Sequence, residues 1–226
     1  MSDTVWSVTD LEKAAIRSLV KKGQAERFKN DAFNIIDFDS FFALLTSEEV
    51  AIANKYLSID PKQIAYKLPY LGYGDIPRDL IAVCGQMFIR DNREHLITPQ
   101  YLPKKVFDMY TKLNGAMERD TGKKALIEYG YRSPACQVNL FFKFFEYYDF
   151  NFEITIARVC FAAYSEHVCH QKQAIDFITI DGIDDDFDTT EQYQWLKENA
   201  AQHGFYESYP KGNEVGMMYE PWHWAI

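Results

Sequence analysis

Apolar positions recur with a helical period through most of the first hundred residues. Thr9 followed by Glu12 reads as a capping box, and Leu11, Ala15, Leu19 and Val20 form an apolar stripe that Gly23 can close. Thr46 with Glu49 repeats the signal ahead of Val50, Ala53 and Leu57. Asp60-Pro61 predicts a third, short helix, with proline in the first turn where its missing N–H costs nothing. The segment 68–77, LPYLGYGDIP, reads as turns rich in tyrosine.

From about residue 98 the texture changes. Val106, Met109, Tyr110, Leu113 and Met117 share one face of a helix over 103–117. The turn DTGKK leads into a strand, ALIEYGYR. Ser133-Pro134 starts an aromatic-heavy helix reaching Tyr148, and a second helix covers 152–159. The run LFFKFFEYYDF within the first of these reads as core packing, with Lys143 and Glu146 on the wet face. AIDFITID alternates as a strand does. A helix over 190–202 stops at Gly204, and two strands joined by the turn KGNE close the chain, FYESYP and VGMMYEPWHW. Strands separated by helices and then paired late predict an α+β class, a small, mainly antiparallel sheet flanked by helices. The expected organisation is a mainly helical N-terminal extension, 1–97, packed on a catalytic domain, 98–226.

Composition narrows the function. The chain has 226 residues, 47% hydrophobic and 16% aromatic, enough to bury a core. A net charge of −9 argues against a nucleic-acid partner. No apolar run approaches the roughly 20 residues needed to span a bilayer. Four widely spaced cysteines with no C-x-x-C pair, and no secretory signal at the N-terminus, give a cytoplasmic expectation; a trimmed leader would instead mean the periplasm or cell wall.

The stretch 164–177, YSEHVCHQKQAIDF, gathers His167, His170, Cys169 and Asp176, and a second stretch holds Glu220 and His223. A catalytic zinc site needs three N, O or S ligands and one open position. Histidine and aspartate ligands from neighbouring strands, with a glutamate beside them, match metal-assisted hydrolysis. Glu220 and His223 differ in strand parity, and Pro221 breaks the pleat so that both can face one cleft. The residues alone leave three readings: a metal site, a thiol nucleophile at Cys169 with a histidine base, or a polar loop.

Six segments in order resolve this: YLPKKVFDMY, GYRSPACQ, YSEH…QAID, WLKENAAQHGF, YPKGNE and EPWHW. Together they resemble the zinc D-alanyl-D-alanine carboxypeptidases and dipeptidases, related to lysostaphin-type enzymes and the hedgehog fold. The resemblance implies that His167, Asp176 and His223 hold Zn2+. It implies that Glu220 is the general base for attack by a zinc-bound water and that Arg132 stabilises the oxyanion. Ser165 and Gln137 fall where the family binds the peptide and its C-terminal carboxylate, and Trp222 is a candidate pocket residue. The implied substrate is a peptidoglycan-type peptide ending in D-alanine.

The sequence departs from the family pattern in places. Eight residues separate His167 from Asp176, two more than the family spacing, which makes His170 the rival first ligand. Ala162-Ala163 replaces a Pro-Gly, and Ala225 stands where a basic residue is common. The alternatives from other classes are a zinc-binding, non-catalytic peptide-binding module and a related peptidoglycan endopeptidase.

Overall fold

The computed structural model describes residues 7–60 and 67–226, so the short helix expected from Asp60-Pro61 lies outside the described residues. In chain order the elements are α1 (Asp10–Lys29), α2 (Phe38–Phe42), α3 (Ser47–Leu57), β1 (Leu80–Val83), β2 (Met87–Arg90), β3 (Arg93–Leu96) and β4 (Gln100–Pro103). They continue with α4 (Lys104–Thr121), β5 (Ala125–Tyr129), α5 (Pro134–Tyr147), α6 (Phe152–Arg158), β6 (Ala174–Thr179), α7 (Glu191–Asn199), β7 (Tyr206–Glu207) and β8 (His223–Ala225). The class is α+β, as expected. The chain divides into two compact units, each assembled from separate stretches.

One unit comprises the described residues through Ile76, Ser133–Val168 and Glu214–Met218. Both capping boxes form: Thr9 and Thr46 accept from the backbone N–H of Glu12 and Glu49, whose carboxylates reach back to the cap N–H. Gly23 does not end α1. The buried stripe is Ile16, Leu19, Val20 and Gly23, while Leu11 is 85% exposed. Gly23 lies inside that stripe because α5 packs against it: a Cβ there would clash with Asn139 Oδ1. The core is aromatic. Tyr56 of α3 packs its ring, tilted, against Phe141, Phe142 and Phe161, and its hydroxyl accepts from the Ala162 N–H at 3.1 Å. Lys143 is exposed and Glu146 half-buried, as the pattern of α5 predicted.

The other unit comprises Pro77–Arg132, Cys169–Asn213 and Tyr219–Ile226. The helical reading of the first hundred residues fails from Leu80 onward. There β1 pairs with β4, and β2 with β3, antiparallel. The β2–β3 turn is Asp91-Asn92, both at positive φ, the hairpin turn geometry that Asn and Asp tolerate. A four-stranded sheet has the order β5-β6-β8-β7, every pair antiparallel. Every residue of β6 is buried, as befits an inner strand. The expected C-terminal hairpin shrinks to two residues of β7 against β8, with Tyr206 opposite Ala225 and Glu207 opposite Trp224. Pro210, Gly212, Gly216 and Pro221 interrupt the intervening chain, which cannot hold a continuous ladder. The core joins Val106, Leu113 and Met117 of α4 to Ile127, Ile175, Phe177, Leu196 and Trp224.

Cys84, Cys136, Cys160 and Cys169 form no disulfide, and no helix among the described residues is long and apolar enough to cross a membrane.

Candidate metal centre

The register of β6 against β8 sets Asp176 directly opposite His223. Residues opposite one another in an antiparallel pair project to the same face. His223 Nδ1 accordingly lies 2.8 Å from Asp176 Oδ1, with both side chains buried. Ile175 and Phe177, the neighbours of Asp176, point the other way into the apolar core and pin that register.

His167 lies beyond the 3-10 turn Ala162–Tyr164, in a turn closed by the Val168 N–H on the Ser165 carbonyl at 3.1 Å. Val168 is fully buried and anchors that turn. One ligand atom each of His167, Asp176 and His223 lies within 4.8 Å of the others, and all three residues are buried. This is the one such group of three or more found among the described residues. His170, the rival, is exposed, and Cys169 is half-exposed. Two imidazoles and a carboxylate make a donor set that suits Zn2+. Donor atoms on a tetrahedral zinc with bonds of about 2.0–2.1 Å sit ~3.4 Å apart. The observed separations are therefore within a side-chain adjustment of coordination, and the residues fit the ion.

Arg132 reaches Asp176 from the end of β5. Gly130 lets the chain turn there: its N–H donates to Gln100 Oε1 at 3.2 Å, and a side chain at this position would strike the Tyr101 carbonyl. The Arg132 Nη2 donates to Asp176 Oδ2 at 2.9 Å, and the guanidinium lies over the Tyr129 ring. The carboxylate thus directs one oxygen to Arg132 and the other to His223. Glu220 precedes β8, and the His223 N–H donates to its carbonyl at 3.1 Å. That turn brings the buried Glu220 carboxylate to 3.8 Å from His223 Nδ1. The parity difference is resolved because Glu220 stands outside the strand.

Ser165 and Gln137 are buried, and the Gln137 amide nitrogen donates to the Cys160 carbonyl at 3.1 Å. Trp222 is half-buried against the sheet core, and its carbonyl accepts from Phe177 N–H at 2.9 Å.

Three further residues went unnoticed in the sequence. Glu128 falls at the irregularity between Ile127 and Tyr129, where β5 meets Asp176. Burial pushes its carboxyl up to about 8, Asp176 and Asp184 add to the rise, and Arg90 opposes it. Tyr219 donates its hydroxyl to Asp188 Oδ2 at 3.1 Å and so ties down the residue before Glu220. Tyr209 lies within the quoted motif YPKGNE, yet nothing local distinguishes it from other tyrosines. Its ring stands against His223, with centroids 4.7 Å apart.

Several solved structures are similar to this chain. The LdcB LD-carboxypeptidase is 24% identical, covering 66% of this chain and 67% of its own, at a TM-score of 0.52. A vancomycin-resistance D,D-pentapeptidase, VanY, solved with Zn(II), is 24% identical over 62% of this chain and 76% of its own, at a TM-score of 0.46. VanYB, solved with D-alanine-D-alanine, is 22% identical over 69% and 83%, also at 0.46. At these values the LdcB likeness shows the fold, and the other two add no weight. A comparison with curated proteins returns no match. The family model described as VanY, D-alanyl-D-alanine carboxypeptidase, matches residues 99–225, more than half of the chain and every site residue discussed above. By that match the chain belongs to the VanY D-alanyl-D-alanine carboxypeptidase family.

Proposed function

We propose that the protein is a zinc-dependent carboxypeptidase that releases a C-terminal D-alanine from peptidoglycan-type peptides. The observation that carries this reading is the approach of His167, Asp176 and His223 to one another within a VanY-family chain. These three hold the ion. When bound, zinc supplies Lewis acidity, which lowers the pKa of a water in its shell to about 7 and polarises a carbonyl.

The chain's own groups do the rest. Glu220 accepts a proton from the attacking water as the water oxygen bonds to the carbonyl carbon. It then delivers that proton to the amide nitrogen as the C–N bond breaks, leaving the peptide acid and free D-alanine. Arg132 has two roles here. It orients the Asp176 carboxylate, and its fixed positive charge stabilises the developing oxyanion. Ser165, Gln137 and Trp222 are the residues proposed to hold the peptide.

Two experiments test the reading. The zinc-loaded protein is expected to release D-alanine from D-alanyl-D-alanine or from a pentapeptide stem; release from neither overturns the proposal. Glu220→Ala is expected to keep zinc and to lower kcat by ~10²–10⁴-fold, the usual contribution of a general base. Unchanged hydrolysis in that variant removes Glu220 from the mechanism.

A further inference from the structure

Zinc sites depend on groups that aim the ligands as well as on the ligands. The second side-chain torsion of histidine is soft, so the ring plane must be set by its surroundings. Asp176 Oδ1 contacts an edge of the His223 ring, at Nδ1, which leaves rotation about that contact open. Tyr209 meets the face. Its ring lies 4.7 Å from the imidazole centroid, inclined by 30°, and the residue is 2% exposed.

Tyr209 also touches the second key residue. Its carbonyl accepts from the Glu220 N–H at 3.1 Å. One residue earlier, the Ser208 N–H donates to the His223 carbonyl at 3.4 Å. Pro210 follows and disfavours the helical region at Tyr209, which stiffens the support. The short β7–β8 ladder ends just before these contacts, so the segment 208–209 extends the pairing by other means.

We propose that Tyr209 is a positioning residue of the metal centre. Its ring fixes the plane of the His223 imidazole, and its carbonyl holds the backbone of Glu220. The inference rests on the reading of His223 as a zinc ligand and of Glu220 as the base. The ring face, rather than the phenol hydroxyl, carries the effect on His223.

The test compares Tyr209→Phe with Tyr209→Leu in the full chain. Readouts are zinc affinity by competition with a chromophoric chelator, kcat and KM, and the melting temperature of the zinc-free protein. Tyr209→Phe keeps the ring and is expected to bind zinc as the unaltered protein does. Tyr209→Leu keeps bulk but loses the flat face, and its zinc affinity is expected to fall ~10–100-fold, the range seen when supporting residues are removed. Its kcat should fall with little change in KM. If the leucine variant fails to fold, Tyr209→Met, whose flexible side chain refills the space, is read the same way. Unchanged zinc affinity in a folded ring-less variant overturns the inference, as does an equal loss in the phenylalanine variant. Failure of the unaltered protein to bind zinc takes down the functional reading as well, so the two failures are distinct.

Discussion

Asp176 and Glu128 show how position alone separates two carboxylates. Asp176 receives Arg132 on one oxygen and faces His223 on the other. Glu128 lies nearby on β5 and is pushed up to about 8, chiefly by burial and then by the charges of Asp176 and Asp184, against the pull of Arg90. The stability consequence has a definite sign. The unfolded chain releases this proton near the ordinary glutamate value of 4.5, and the folded chain retains it to about pH 8. Between those values the folded state binds more protons, so stability falls as pH rises and levels off above pH 8. Melting curves of the zinc-free protein and of Glu128→Gln, taken at pH 5 and pH 8.5, should converge at the acid end. At the alkaline end the glutamine variant should melt higher; a constant offset between the two proteins would contradict the assignment. Nothing in the sequence signals this shift: ALIEYGYR reads only as a strand, and the burial and charges that act on Glu128 come from distant segments.

At the scale of elements, packing overrode propensity in α1. A glycine inside a helix is unfavourable by roughly 1 kcal/mol relative to alanine. Propensity therefore favours Gly23→Ala, whereas the clash of a Cβ with Asn139 Oδ1 opposes it. Overpacking a tight contact typically costs 1–3 kcal/mol, so the clash outweighs the gain. Gly23→Ala should lower stability in urea unfolding, and adding Asn139→Ala should recover much of the loss. A more stable single variant would show that α1 and α5 can separate freely there. The capping boxes at Thr9 and Thr46 were legible because their hydrogen bonds join residues three apart. The strands β1 to β3 were not, since four-residue runs such as LIAV and MFIR carry too little periodicity to identify by themselves.

For the molecule as a whole, folding and metal binding are linked. A ligand that binds the native state alone stabilises it by RT ln(1 + [L]/Kd), about 2.7 kcal/mol at a hundredfold excess over Kd. Removing zinc with a chelator should lower the melting temperature, and adding zinc back should restore it. The same treatment of Asp176→Ala should produce little shift; an equal shift there would place the zinc elsewhere. The sequence by itself determined the α+β class, the helix starts at Thr9, Thr46 and Ser133 through their caps, and, through the ordered motifs, the residues proposed for the metal centre. These are signals carried by near neighbours or by residue identity. Only the tertiary structure decided that Asp176 faces His223 across 47 positions, that His167 lies with them while His170 is exposed, and that Tyr209 covers the imidazole. Strand register, side-chain burial and ring stacking are fixed by contacts between distant segments, and no local pattern encodes which segments will meet.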